Sequence, residues 1–193
     1  MPIGIRRTWR SDVRGLAAVE FALIAGPLMV LMMGTFEVTL RMQAADEFER
    51  YAFQVGDVFS RGKNITSGDL DILYKAADTM MQQTKVENDM LDLDVSSIGF
   101  QEDGEAILLW RRYRGSKPPE FNLKDAHGLA EPGETVLRIS ATLRYTPEIN
   151  FLTASGADMT RLSYFKPRTT RAISVDGKIA DPGISWDFYG TAR

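Results

Sequence analysis

Residues Leu16 to Leu40 read LAAVEFALIAGPLMVLMMGTFEVTL, twenty-five residues whose only charges are Glu20 and Glu37. Within them, Phe21 to Phe36 is sixteen residues with no charge at all. As a helix the stretch measures about 37 Å at about 1.5 Å per residue, enough to cross a hydrocarbon core of about 30 Å. Core helices of soluble proteins are seldom uncharged for so long, so a membrane-crossing helix is expected. The chain then divides into a cytoplasmic basic leader over 1–15, a transmembrane helix over 16–40 and an extracytoplasmic α+β domain over 41–193.

Charge on the flanks orients the span. Residues 1–15 carry Arg6, Arg7, Arg10 and Arg14 against Asp12, a balance of +3. Just beyond the span, Asp46, Glu47 and Glu49 outnumber Arg41 and Arg50. The positive-inside rule therefore puts the N-terminus in the cytoplasm and the remainder across the membrane. Residues 16–193 hold 19 Lys+Arg and 25 Asp+Glu, a net −6, with the basic residues scattered, which argues against nucleic acid as a partner. The apolar run exceeds the 7–15 residues of a cleaved secretory signal, and Gln43 spoils a small-x-small site ending at Ala45, so an uncleaved or differently cleaved anchor is expected.

The composition removes most chemistries. Among 193 residues there is no cysteine and one histidine, His127. Disulfides, thiolate metal sites and cysteine nucleophiles are excluded, and an imidazole-based zinc or copper site has too few ligands. No G-x-S-x-G elbow, phosphate loop, H-E-x-x-H or dinucleotide fingerprint is present. His127 beside Asp125 could complete a Ser-His-Asp set only in the sense that any chain rich in Ser and Asp offers one. Asp92 with Asp94, and Glu102-Asp103-Glu105, lack the glycine-punctuated spacing of a calcium loop. No enzyme, cofactor or metal is expected. Asn64-Ile65-Thr66 is a sequon that reads as chance.

Glu20 is the residue most in need of a role. A carboxylate this close to lipid costs a few kcal/mol unless it is paired or reaches the interface. It stands four residues after Leu16, one helical turn. A cut after Gly15 would create an α-amine at Leu16 within reach of Glu20, on the same helix or on a neighbour in a helical assembly.

Arg14-Gly15 followed by LAAVEFAL and a long apolar run resembles the N-terminus of the type IV prepilin class. The string Ala17-Ala18-Val19-Glu20-Phe21-Ala22-Leu23, with Gly26-Pro27 inside the span, more closely resembles TadE-like pseudopilins of the tight-adherence (Flp) pilus system. Weaker echoes are Gly133-Glu134 opening a strand that ends in Tyr145-Thr146-Pro147, and Phe165-Lys166-Pro167-Arg168. The resemblance implies a single-pass protein of the bacterial inner membrane, cut by a prepilin peptidase after Gly15 so that Leu16 becomes the mature N-terminus. It implies assembly with other pilins or pseudopilins through Glu20 and Phe21. Close helix packing in the membrane would draw on Ala17, Ala18, Ala22, Ala25 and Gly26. The alternative is a bitopic protein whose outer domain binds or senses a partner, with no part in a pilus.

Beyond the span, Ala44, Phe48, Tyr51, Ala52, Val55, Val58 and Phe59 recur at helical spacing, so the helix is expected to run on to about Phe59, with a kink possible at Pro27. A second helix is expected from Ser67 or Gly68 to Thr84, capped by Ser67 and facing inward with Leu70, Leu73, Ala77, Met80 and Met81. Leu93–Phe100 and Glu105–Tyr113 around Asp103-Gly104 form a hairpin signal. Ser116 to Pro132 reads as loop. Thr135 to Tyr145 alternates as a half-buried strand, with Arg138, Ser140, Thr142 and Arg144 outward. Thr160–Phe165 and Arg171–Val175 are expected to pair around Lys166-Pro167. The aromatic tail Ile184–Gly190 is expected to dock on the domain or a partner. The architecture is thus α+β and pilin-like: a long helix, half transmembrane and half amphipathic, a second helix, then a mostly antiparallel sheet.

Overall fold

A computed structural model describes residues 15–82, 84–87, 89–147, 156–184 and 186 of the chain. Helix α1 runs Leu16–Arg61 with Pro27 inside it. It is followed by the two-residue strand β1 (Asn64–Ile65) and helix α2 (Ser67–Met80). Four longer strands come next: β2 (Leu91–Phe100), β3 (Ala106–Arg114), β4 (Thr135–Tyr145) and β5 (Ala157–Phe165), with a 3-10 turn at Leu123–Ala126 between β3 and β4. Strand β6 (Ser174–Val175) closes the described order. The expected α+β plan, a long helix, a second helix and an antiparallel sheet, is what is found.

The four long strands form one sheet in the order β3-β2-β4-β5, antiparallel throughout. The β2–β3 hairpin turns at Asp103-Gly104, where Asp103 Oδ1 accepts from Glu105 N at 2.8 Å and Gly104 takes φ +81°. The outer half of α1 lies across the inner face of the sheet. Its Phe48, Tyr51, Ala52, Val55 and Phe59 interlock with Leu91, Leu93, Val95, Leu137, Ile139, Ala141 and Leu143. Gly56 lets helix and sheet approach: a Cβ there would stand 2.0 Å from the Phe165 ring of β5. Val58, expected on this buried face, is 52% exposed instead. At 100° per residue it sits off the stripe that Phe48, Tyr51, Val55 and Phe59 define.

A register shift between Ser97 and Ile98, opposite β3, lets two consecutive β3 residues, Leu109 and Trp110, both enter the core. The indole Nε1 of Trp110 donates to Ile173 O at 2.8 Å.

Helix α2 corrects the expectation at both ends. Its N-cap is Thr66, not Ser67: Thr66 Oγ1 accepts from Asp69 N at 3.1 Å, and Thr66 N donates to Asp69 Oδ2 at 2.8 Å, a capping box. Ser67 instead donates to Asp176 from its backbone N (3.1 Å) and its hydroxyl (2.9 Å). The helix stops at Met80 rather than Thr84, because Met81 turns into the core while Thr84 donates N and Oγ1 to Glu47 of α1, at 3.1 and 3.0 Å. Leu70 and Ala77 are buried, and Leu73 and Met80 pack against the same core, as the periodicity expects.

The last expected strand pair does not form. Ser174-Val175 leaves β5 and pairs in parallel with Asn64-Ile65. Asn64 is spent on this joint, its Oδ1 accepting from Ser174 Oγ (2.7 Å) and Gly177 N (2.8 Å). β5 pairs along its whole length with β4 alone. Of the aromatic tail, Trp186 is buried against Gly99 and Leu109, and Ile184 packs at the same core. Phe188, Tyr189 and Gly190 lie outside the described residues, as does leader 1–14.

Strand β4 is buried on both faces from Thr135 to Ala141, where a half-buried strand was expected. The segment between β3 and β4 folds over its outer face. Ile98, Phe100, Ala126 and Val136 make a second small core there, with Phe121 and Leu123 packed on it.

Candidate functional site

Two regions carry features beyond packing: the bare half of α1, and the polar face of the sheet under the β3–β4 segment. The first holds every sequence-predicted site residue.

Helix α1 begins at Leu16 with Gly15 as its N-cap, without a side-chain cap and with no acid in the first turn. The positive end of the helix dipole lies at this turn. Glu20 is the first carboxylate along the helix, one turn on, and is exposed. A Cβ on Gly15 or on Gly26 would meet no atom within 4 Å, so the backbone is open at both glycines.

Around this open start the side chains are large, apolar and bare. Phe21 is 72% exposed and Leu23 is 70% exposed, while Ile24, Leu28, Met29 and Leu31 are exposed on other sides of the helix. Such a ring cannot be the core face of a soluble amphipathic helix, which buries one stripe. Among the described residues none is buried before Gly34; Glu37 is then buried and pairs with Arg41 at 3.2 Å. Residues 16–33 thus carry no buried side chain, over about 27 Å at about 1.5 Å per residue. Of the described residues, α1 is the one helix long and apolar enough to cross a membrane by length and composition.

Ala17, Ala18, Ala22, Phe21 and Gly26 all lie in the bare portion, and Ala25 is half-exposed. None meets another element among the described residues. Ala18, Ala22, Ala25 and Gly26 fall within about a third of the helix circumference at 100° per residue, and Glu20 lies on the opposite side.

The second region was missed by sequence reasoning. Asp94 is fully buried and accepts from Arg111 Nε and from Arg138 NH1, both at 2.8 Å. The same guanidiniums reach the covering segment: Arg111 donates to Pro119 O at 2.8 Å and Arg138 to Glu120 O at 3.1 Å. Both guanidinium carbons also lie over the Phe121 ring, 5.1 and 4.9 Å from its centroid. Asp92 is held by Arg144, by Tyr113 Oη (2.8 Å), and by the backbone N–H of Ser116 (2.8 Å) and Lys117 (3.2 Å). Burial alone would raise the Asp92 carboxyl, but these donors outweigh it and hold it below the usual carboxylate range. The signal was present: Asp92 and Asp94 share strand parity, and Arg138 and Arg144 share it on β4.

These pairings give Asp92 and Asp94 a structural role rather than a calcium site. Among the described residues no group of three or more His, Asp or Glu is placed to hold a metal. His127 is exposed at the end of the 3-10 turn, and Asp125 accepts from Asn122 Nδ2 at 3.3 Å. The two are not joined into a catalytic set.

The bare helix is also where the similarity to known proteins falls. The family model for TadE-like protein matches residues 15–55, from the helix cap to the middle of the face that packs on the sheet. The TadE-like resemblance of the N-terminal segment is thereby borne out. No curated protein and no solved structure matches the chain.

Proposed function

We propose that this chain is a single-pass pseudopilin-like component of a tight-adherence (Flp) pilus, acting in pilus biogenesis or assembly at the bacterial inner membrane. The observation that carries the proposal is the bare apolar ring over residues 16–33, which coincides with the TadE-like match. Free side chains of this kind are matched either by lipid or by neighbouring helices, and an assembling subunit needs both in turn.

In this proposal the leader stays cytoplasmic and the α+β domain stands outside. A prepilin peptidase cuts between Gly15 and Leu16, at the start of the described helix. The new α-amine adds a positive charge where the helix dipole is already positive, and Glu20 one turn on offsets it. In the assembly, Glu20 and Phe21 meet neighbouring pilins or pseudopilins, and the small residues Ala17, Ala18, Ala22, Ala25 and Gly26 let helix backbones approach. The role is structural, with no catalytic residue and no cofactor.

Glu20→Ala tests this. The variant is expected to reach the membrane at normal levels and to abolish or sharply reduce surface pili. Normal piliation by a stably expressed Glu20→Ala chain would contradict the assembly role and favour a bitopic anchor whose outer domain binds a partner alone.

A further inference from the structure

Gly133-Glu134 and Lys166-Pro167-Arg168, far apart in sequence, line one cleft of about 590 Å3 at the foot of β4 and β5. Pro132, Thr135, Thr169, Thr170 and Arg171 complete its wall. The cleft abuts the C-terminal end of α1, where Arg168 N donates to Ser60 O at 2.9 Å and Thr169 Oγ1 donates to Arg61 O at 3.2 Å.

Three cations and one carboxylate face it. Lys166 Nζ donates to Glu134 Oε2 at 2.8 Å, and Arg168 pairs with Asp57 at 2.9 Å. The exposed Arg171 guanidinium has no ion pair among the described residues. A net positive cleft therefore sits on a chain whose residues 16–193 carry a net −6. Its size falls within the range that holds a small ligand or a few peptide residues, about 300–1,000 Å3.

We propose that this cleft binds a carboxylate of an acidic protein segment, with Lys166 and Arg171 as the cationic contacts. Glu134 shows the chemistry in place: it is an internal carboxylate seated on Lys166, with both side chains about half exposed. An incoming carboxylate takes its place on Lys166 without changing the charge of that pair, and gains Arg171.

Phosphate fits less well. Three of the cleft's backbone donors are already used, Gly133 N by Phe100 O (2.9 Å), Glu134 N by Glu131 O (3.0 Å) and Arg168 N by Ser60 O. Glu134 at the rim opposes a dianion more strongly than a single carboxylate. A lipid headgroup is excluded by position. The cleft lies at the far end of a 46-residue helix, about 69 Å at about 1.5 Å per residue. That last argument alone rests on the membrane placement of the bare half.

The test uses the full chain in detergent micelles and a fluorescent peptide of alternating Glu and Gly, read by anisotropy. Lys166→Glu with Arg171→Glu is expected to weaken binding by about tenfold or more, and Glu134→Gln to tighten it by freeing Lys166. Lys75→Glu with Lys178→Glu changes the net charge equally and is expected to leave binding intact. A Gln-Gly peptide is expected not to bind.

Binding unaffected by the cleft variant, or lowered as much by the control pair, overturns the proposal. Inorganic phosphate displacing the peptide where acetate does not overturns the carboxylate assignment. Near-UV circular dichroism of each variant separates lost binding from lost fold, and the assay is independent of pilus assembly.

Discussion

Replacing Asp94 by Ala puts the covered polar face of the sheet to a quantitative test. The substitution leaves Arg138, itself buried, without its carboxylate, and removes the anchor of the Arg111 guanidinium. Stripping one partner from a buried pair costs about 3–5 kcal/mol. Arg111 is about a quarter exposed and can turn to water, so the lower figure, about 3 kcal/mol, applies. For a domain of this size each kcal/mol moves the melting midpoint by about 2–4 °C, giving a fall of about 6–12 °C. The comparison is Asp181→Ala, whose carboxylate pairs with Arg112 at 2.9 Å while both side chains remain about a third exposed. That pair is worth about 1 kcal/mol or less. Thermal unfolding of both variants in the same detergent, followed by near-UV circular dichroism, gives the two midpoints. An Asp94→Ala midpoint within about 2 °C of the Asp181→Ala midpoint would refute the claim that this pair holds the covering segment in place.

Four further outcomes follow from the same packing. Phe48→Ala, at a fully buried position of α1, is expected to cost about 3–5 kcal/mol in a denaturant titration. Gly115→Ala is expected to cost at least about 1–3 kcal/mol, since Gly115 holds φ +127° and a Cβ would stand 2.1 Å from Asp92 Oδ1 and 2.8 Å from Leu91 O. With pH, the Asp92 carboxyl is depressed in the fold, so its contribution is present above its unfolded value of about 3.9 and is lost as pH falls through the folded value. Tyr113 is displaced the other way, pushed up by burial and by its hydrogen bond to Asp92; its contribution is present below about pH 10 and lost above it. Asp92→Asn should flatten the acid limb of a midpoint-against-pH curve and Tyr113→Phe the alkaline limb.

How far the sequence spoke for itself depended on the range of the interaction. The apolar run from Leu16, the helical stripe from Ala44 to Phe59 and the Asp103-Gly104 hairpin are local patterns, and each became the expected element. Thr66 was overlooked as a cap because Ser67 is equally capable; the choice was made by Asp176, which engages Ser67 from 109 residues away. The parallel pairing of Asn64-Ile65 with Ser174-Val175 is likewise a contact across most of the chain, with no periodic signal in two residues. Arg138 and Arg144 read as solvent-facing because a charged residue on an alternating strand usually is. Arg138 is instead buried and Arg144 about a third exposed, which depends on the Ser116–Pro132 segment folding back, and alternation within β4 does not encode that. Of the candidate site, the type and spacing of Gly15, Leu16, Glu20 and Phe21 were legible because they lie within one helical turn or two. The cleft between Glu134 and Lys166 was not, since it exists only once β4 and β5 are side by side.

The most direct test of the assembly account is the mass of the chain recovered from membranes of cells that carry the cognate prepilin peptidase. Processing after Gly15 predicts a species beginning at Leu16, and its disappearance when Gly15 is replaced by Ala or the peptidase is absent. An intact chain beginning at Met1, in cells where a known prepilin of the same system is cleaved, would contradict the account.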